Sequence, residues 1–308
     1  MIGGSHERTD VSAPSQRAQA GERPVVLVTG AAGRVGTGLR PYLARSFDLR
    51  LFDRLPAPEP RPEETVVVGD LADYATVRGA VEGVDAVLHL ACVHGLGLRF
   101  AESLPANFTG TMNLLEAMRG AGTARHVYAS SHHVLGAHAS TGLTPAEVAD
   151  LDLAPDAVYG LGKAFGELAS RMYAQRHGIK TMLIRIGNAD PQVGDGRALR
   201  MWTSARDLAQ LVAIGLTDAR VECDLVYGVS LSPSSMFANS RAEELGYRPV
   251  DDAADNLAPG FVPYADMPPE AGRDYVGGAY AARELPEGAG AAAPPPRAAA
   301  RHAHEETA

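Results

Sequence analysis

VVLVTGAAGRVG, residues 25–36, is the stretch of the sequence that decides the fold. Its first five residues are apolar or β-branched and predict a buried strand, and the glycines after them predict a tight turn into a helix. Strand, glycine turn and helix in this order place backbone N–H groups at the positive end of the helix dipole, where proteins hold a pyrophosphate. The sequence therefore predicts a dinucleotide-binding turn whose contact residues are Gly30, Gly33, Arg34, Val35 and Gly36.

The same alternation of short apolar runs and amphipathic stretches continues along the chain. It predicts an α/β fold with a Rossmann-like, doubly wound parallel sheet that is buried on both faces. Further strands are predicted at 49–53, 65–69, 85–90, 126–131 and 180–186. Helices are predicted at 34–46, 73–82, 105–121 and 159–177.

After residue 186 the pattern loosens, with a helix predicted near 204–217, a strand near 224–228 and a short helix near 239–246. We expect these elements to cap the carboxyl edge of the sheet, where open α/β sheets bind ligands. The Ala- and Pro-rich end cannot bury enough apolar surface to become ordered. The predicted division is a disordered tail at 1–22, an NAD-binding domain at 23–188, a small substrate-capping portion packed on the same domain at 189–286, and a disordered tail at 287–308.

Composition limits the classes of partner. The chain of 308 residues has a net charge of −9 and shows no basic patch, which argues against nucleic acid and anionic membranes and favours a small-molecule substrate. No apolar run approaches the roughly 20 residues of a membrane span. The two cysteines, Cys92 and Cys223, lie far apart and suggest no disulfide framework, so we expect a cytoplasmic protein.

Acidic and small residues follow the next predicted strands. Asp53 closes the second strand, where a carboxylate accepts hydrogen bonds from both ribose hydroxyls and repels a 2′-phosphate, so the cofactor is expected to be NAD; the adjacent Arg54 weakens that preference. Asp70 can accept from the adenine amino group or can cap the helix that starts near Asp73, and both alternatives remain open. The other residues predicted beside the cofactor are Leu71, Leu90, Ala91 and Ile186.

A candidate catalytic trio lies across the fifth strand and the following long helix. Tyr159 and Lys163 are four residues apart and share one helix face, and Ser131 ends the strand opposite. A nearby ammonium and a cationic nicotinamide favour a phenolate. Tyr159 is therefore expected to act as a general base, Lys163 to lower its pKa and hold the nicotinamide ribose, and Ser131 to orient the substrate oxygen.

The motifs TGAAGRVG, DLAD (70–73), HLA (89–91), YASS (128–131) and YGLGKAFGE (159–167) resemble those of extended short-chain dehydrogenases. The stretches VYASSHHVLG, LIRIG, RALRMWTSARDL and VGGAY are similar to uronate dehydrogenases, a family of that superfamily, from about residue 24 to about residue 280. The resemblance implies NAD-dependent oxidation of the C1 hydroxyl of galacturonate or glucuronate to an aldarolactone.

The resemblance also implies substrate contacts and shows departures. Arg197 matches the family's carboxylate-binding arginine, and Ser131, His132 and His133 stand in place of its Ser-Asn-His triplet, so that His132 departs. His94 and Asn188 replace two substrate-binding serines. Further departures, also expected to reshape the sugar pocket, are Gly162, Met236 and Phe237.

Two other functions are compatible with these residues. A nucleotide-sugar epimerase or dehydratase shares the fold and the Tyr-Lys pair, but the short segment after residue 189 disfavours it. A non-catalytic NAD-binding regulator has no use for the trio. The superfamily also allows a homo-oligomer formed through the helices at 105–121 and 159–177.

Overall fold

Nine strands are present in the computed structural model, which describes residues 23–285. In chain order they are β1 (Val25–Thr29), β2 (Asp48–Asp53), β3 (Thr65–Val68), β4 (Ala86–His89), β5 (Arg125–Ser131), β6 (Lys180–Ile186), β7 (Val193–Asp195), β8 (Cys223–Gly228) and β9 (Leu257–Val262). Seven of them form one parallel sheet in the order β3-β2-β1-β4-β5-β6-β8, and β7 pairs with β9 separately. This order reverses direction beside β1, which is the switch point of the predicted Rossmann-like fold, and that prediction is confirmed.

Helices cover both faces of the sheet. They are α1 (Arg34–Leu43), α2 (Tyr74–Val81), α3 (Phe100–Ser103), α4 (Thr111–Ala121), α5 (Pro145–Ala149), α6 (Val158–His177), α7 (Gly196–Leu199), α8 (Ala205–Thr217), α9 (Ser240–Glu244) and α10 (Ala279–Ala282). A π-helical segment, Leu104–Gly110, joins α3 to α4, and a 3-10 turn, His132–Leu135, follows β5. One apolar cluster packs α1 and α8 on one face, and another packs α2, α4 and α6 on the other.

The elements after residue 189 were expected to cap the carboxyl edge of the sheet, and for two of them, β8 and α8, that expectation was wrong. Strand β8 pairs with β6 and completes the large sheet, and α8 packs beside α1 over the same sheet. The pairs β7–β9 and the short helices α7 and α10 lie beyond the end of β6 instead. The proposed domain division stays a prediction, and both predicted tails lie outside the described residues.

A buried ion pair attaches α6 to the sheet. The guanidinium of Arg185 in β6 donates to both carboxylate oxygens of Glu167 in α6, at 2.9 and 3.0 Å. Ser130 of β5 donates to the same carboxylate at 2.5 Å, so three neighbouring elements share one network. Because all three side chains are buried, the network fixes the position of α6 relative to the ends of β5 and β6.

None of the helices in residues 23–285 has both the length and the apolar composition that a membrane span requires.

Candidate active site

A cavity of about 840 Å³ opens at the carboxyl ends of the parallel strands. All the residues that the sequence analysis assigned to cofactor or substrate line it. Parallel strands deliver their carboxyl ends to a single edge, and the crevice beside the switch point is where open α/β sheets bind ligands. The structure therefore brings the predicted residues together; their individual roles stay predictions.

The glycine turn lies at one end of this cavity and is packed too closely for side chains. Gly30 has a φ of +74°, and a Cβ there would lie 2.6 Å from the backbone nitrogen of Ala91. A Cβ on Gly36 would lie 2.5 Å from the carbonyl oxygen of Gly30. Helix α1 starts after Gly33 without a side-chain cap, so its first N–H groups remain available for an anion. These features fit a dinucleotide pyrophosphate.

Asp53 lies beside this turn and is held by backbone N–H groups. Its carboxylate accepts from the backbone N–H groups of Ala32 at 3.0 Å and of Leu55 at 3.2 Å.

The cap of helix α2 is Asp73, which accepts from the backbone N–H of Ala75. Asp70 accepts only within its own turn, from the backbone N–H of Ala72. Asp70 is therefore not the helix cap, and its contact with adenine stays a prediction.

Arg34 makes an ion pair across the mouth of the cavity. Its guanidinium contacts the carboxylate of Asp190, in the loop after β6. The same carboxylate accepts from the amide of Asn188 at 2.9 Å, and the backbone of Asn188 pairs with the backbone of Trp202 in an isolated bridge. Both partners of the ion pair are largely exposed, so the pair contributes at most about 1 kcal/mol to stability.

The three residues predicted to be catalytic line one cavity. Lys163 is buried, and its Nζ donates to the backbone oxygen of Ala129 at 2.6 Å. The same Nζ lies 5.9 Å from the centre of the Tyr159 ring, and the Ser131 side chain hydrogen-bonds Tyr159. Since Lys163 forms no ion pair with a carboxylate among residues 23–285, its charge remains available to the cavity.

The proton affinity of Tyr159 differs from the expectation. Burial raises the pKa of its phenol well above the ordinary value, and the hydrogen bond from Ser131 offsets only part of that effect. The expected lowering of the pKa by Lys163 is therefore not seen in the protein by itself, because desolvation of the phenolate outweighs it. A positively charged group beside the ring is still needed to form the phenolate.

Histidine and arginine side chains occupy the opposite end of the cavity. His132 contacts the backbone oxygen of Ile186 through Nδ1 at 3.2 Å, while its Nε2 is buried without a hydrogen-bond partner in the described part of the chain. Arg197 donates to the backbone oxygen of Val276 at 2.9 Å. No carboxylate of residues 23–285 forms a salt bridge with Arg197, and burial lowers the pKa of its guanidinium. His94 is exposed at the rim.

Three expected determinants of the sugar pocket do not line the cavity, which corrects that expectation. Met236 and Phe237 are buried in an apolar cluster, where the Phe237 ring stacks on Tyr227 with centres 4.4 Å apart. Gly162 is buried in α6, where a Cβ would lie 3.0 Å from Cβ of Asn107. Core packing between distant elements, which a motif comparison does not reveal, turns these residues away from the sugar.

Sequence reasoning missed several residues at and around the site, among them Tyr280, Gly277 and Asp156. Tyr280 and Gly277 line the cavity, and the quoted VGGAY motif was their only signal. Asp156 lies behind the cavity, and its Oδ2 contacts Nδ1 of His133 at 2.5 Å. No local pattern marked Asp156, because its neighbours come from several distant segments.

Comparison with known proteins identifies relatives over most of the chain. Uronate dehydrogenase of Pseudomonas putida is 39% identical over 263 residues, which are 83% of this chain and 95% of the relative. Uronate dehydrogenase of Agrobacterium fabrum is 37% identical and covers 74% of this chain and 85% of its own. The crystal structure of an Agrobacterium tumefaciens uronate dehydrogenase mutant complexed with NAD superposes with a TM-score of 0.75 at 33% identity, covering 85% of this chain and 98% of that chain.

A family model matches the part of the chain that carries the glycine turn and the trio. The match spans residues 26–189 and has the description NAD dependent epimerase/dehydratase family. This confirms the superfamily expected from the motifs, and the relatives confirm the resemblance to uronate dehydrogenases. The chain belongs to the NAD dependent epimerase/dehydratase family.

Proposed function

We propose that this protein is an NAD-dependent oxidoreductase that oxidises the C1 hydroxyl of a hexuronic acid, galacturonate or glucuronate, to an aldarolactone. One observation carries the proposal: a single cavity joins the uncapped glycine turn, the Ser131–Tyr159–Lys163 trio and the guanidinium of Arg197, which has no carboxylate partner among residues 23–285. The relatives named uronate dehydrogenase support the substrate class.

The trio moves the proton in this reaction. Ser131 and Tyr159 bind the C1 hydroxyl, and Tyr159, as the phenolate, accepts its proton. Lys163 stabilises the phenolate and holds the ribose hydroxyls of the cofactor, since its Nζ is fixed by Ala129 at 2.6 Å. NAD, when bound, takes the hydride from C1, so that the sugar loses one proton and one hydride and becomes the lactone.

The far end of the cavity recognises the rest of the sugar. Arg197 binds the carboxylate, which a planar guanidinium holds through two parallel hydrogen bonds. His132 has Nδ1 against the backbone oxygen of Ile186, so Nδ1 carries the proton, and the ring forms part of the wall of the sugar pocket. Asn188 and His94 complete this pocket where other uronate dehydrogenases carry serines.

A substrate panel tests the proposal. The enzyme is mixed with NAD and either galacturonate, glucuronate, galactose or glucose, and the NADH formed is measured. We expect turnover with at least one uronate, weak turnover with the neutral aldoses, and an aldarolactone as product by NMR. Absence of NADH with every uronate would contradict the proposal, and conversion of a nucleotide sugar without net NADH would favour an epimerase.

Asp53 is proposed to set the preference for NAD. Asp53→Asn keeps an acceptor for the backbone of Ala32 but removes the charge that repels a 2′-phosphate. We expect the ratio of kcat/KM for NAD to that for NADP to fall by about tenfold, a hydrogen-bond-sized effect. An unchanged ratio would contradict this role. Arg54 is exposed beside the same site, where its guanidinium can bind the 2′-phosphate of NADP. Combining Asp53→Asn with Arg54→Ala should therefore reverse the gain in kcat/KM for NADP.

We further propose a homo-oligomer in the cytoplasm. Helix α6 exposes Leu161, Leu168 and Met172, and a second copy of the chain would cover these apolar side chains. Light scattering of the purified protein tests this, and a monomeric mass would contradict it.

The cytoplasmic location is supported by the cysteines. Cys92 and Cys223 are free thiols, which a reducing compartment such as the cytoplasm favours.

A further inference from the structure

Asp156 has one side-chain hydrogen-bond partner, and that partner is a residue of the cavity. Its Oδ2 lies 2.5 Å from Nδ1 of His133, and its side chain is completely buried. The other oxygen, Oδ1, has no partner of good hydrogen-bond geometry among residues 23–285. A buried carboxyl whose only side-chain partner is an imidazole must share a proton with it or rely on backbone N–H groups alone to compensate its charge.

Glycines from three distant segments enclose this carboxyl. A Cβ on Gly136 or Gly277 would lie 2.0 or 1.8 Å from Oδ2, and a Cβ on Gly160 would lie 2.9 Å from Oδ1. The backbone therefore packs directly against both oxygens and leaves no room for another side chain. Such close packing holds the carboxyl in one orientation, towards Nδ1 of His133.

His133 presents its ring to the catalytic tyrosine. The centre of the imidazole lies 5.3 Å from that of Tyr159 and 4.4 Å from that of Tyr280. Since Nδ1 contacts Asp156, Nε2 is the nitrogen left for a ligand in the cavity, and its tautomer depends on the proton at Nδ1.

We propose that Asp156 is a positioning residue that sets the tautomer of His133, and so decides whether the nitrogen facing the substrate donates or accepts a hydrogen bond. With Asp156 protonated, its O–H donates to Nδ1 and the His133 proton sits on Nε2, which donates to a substrate oxygen. With Asp156 ionised, Nδ1–H donates to the carboxylate and Nε2 becomes an acceptor. The consequence for uronate binding rests on the proposed function, whereas the tautomer change does not.

The electrostatics of the pair agree with this geometry. Burial raises the pKa of Asp156 to about 8, and the backbone N–H groups of Asp156 and Ala157 offset part of that effect. Burial lowers the pKa of His133 to about 3, so the ring stays neutral near neutral pH. The titratable and charged groups that face this pair from the surrounding elements are Arg197, Tyr159, Tyr280, His132 and His94.

The sign of the pH effect follows from these states. Below the pKa of Asp156 the pair is neutral and Nε2–H donates to an oxygen of the uronate. As pH rises through that pKa the donor is lost and a negative charge forms close to an anionic substrate. We expect KM for the uronate to rise about threefold to tenfold between about pH 7 and about pH 9. The pH dependence of kcat should instead follow the ionisation of the Tyr159 phenol.

Asp156→Asn tests the proposal through the pH profile. The amide N–H donates to Nδ1 at every pH, so the variant should keep the low KM and lose its rise above neutral pH. The matched control is Asp152→Asn, an exposed carboxylate four residues earlier, which should retain the wild-type profile. A rise in KM that persists unchanged in Asp156→Asn would overturn the proposal.

A second measurement follows the wild-type protein and needs neither the Asp156→Asn variant nor turnover. NMR of protein labelled with nitrogen isotope in histidine reports which ring nitrogen carries the proton. His133→Asn identifies the signals by their loss. We expect Nε2 of His133 to change from protonated to unprotonated across the same pH range. A tautomer that stays constant would overturn the inference, whereas failure of every uronate as substrate would affect only the proposed function.

Discussion

Tyr159→Phe is expected to reduce kcat for uronate oxidation by about a thousandfold, within the range that a positioned general base contributes. The variant removes the phenol oxygen that Ser131 contacts and leaves in place the ring, whose centre lies 5.9 Å from Nζ of Lys163. Affinity for NAD should stay within about twofold, since a role in the proton step does not require a role in binding the dinucleotide. Single-turnover kinetics and calorimetric titration with NAD measure the two quantities.

The control for this variant is Tyr74→Phe, which removes an exposed phenol of α2 that does not line the cavity. It should leave both kcat and NAD affinity unchanged. If Tyr159→Phe retained most of its turnover, or lost NAD affinity in proportion to kcat, the assignment of Tyr159 as general base would be wrong. The raised pKa of Tyr159 also predicts that wild-type kcat increases towards alkaline pH, where the phenolate forms.

Arg197→Ala should raise KM for a uronate by about a hundredfold, which is the worth of a charge-assisted hydrogen-bonded contact. The guanidinium of Arg197 lines the cavity and donates to the backbone oxygen of Val276. Removing it leaves the substrate carboxylate without a counter-charge in a largely buried pocket. The change should fall mainly on KM rather than on kcat.

A neutral aldose distinguishes lost recognition from lost structure. Galactose has the same reacting hydroxyl but no carboxylate, so its kcat/KM should change by less than about threefold in Arg197→Ala. Arg197→Lys should restore part of the uronate affinity, because an ammonium supplies charge without the planar fork. Equal losses on galacturonate and galactose would show that Arg197 supports the fold around Gly278 rather than the carboxylate.

Local sequence predicted the elements that position the site. The bounds of β1 and β6 agree with the predicted strands, because each contains a short apolar run that is buried on both faces of the sheet. Helix α6 ends before Gly178, whose φ of +69° is the left-handed conformation expected of a glycine that ends a helix. The spacing of Tyr159 and Lys163 then followed from the helical repeat alone.

Features that depend on distant packing could not be predicted. The apolar run at Cys223–Gly228 predicts a strand, but its sequence does not tell whether that strand caps the sheet or belongs to it. Only its pairing with β6 distinguishes the two. The carboxyl of Asp156 acquires its surroundings from glycines far apart in the chain. Similarly, Met236 and Phe237 occupy motif positions of a substrate pocket, yet tertiary contacts turn them into the core.

Strand β8, at the edge of the seven-stranded sheet, makes completion of that sheet depend on a late segment of the chain. Because β8 borders β6 along six residue pairs, the sheet formed by β1 to β6 has an edge that only a later segment of the chain covers. An exposed edge of this kind recruits other chains by backbone pairing. The chain before β8 is thus not an exchangeable module, and a chimera that exchanges the later segment must carry β8 along with its own β6.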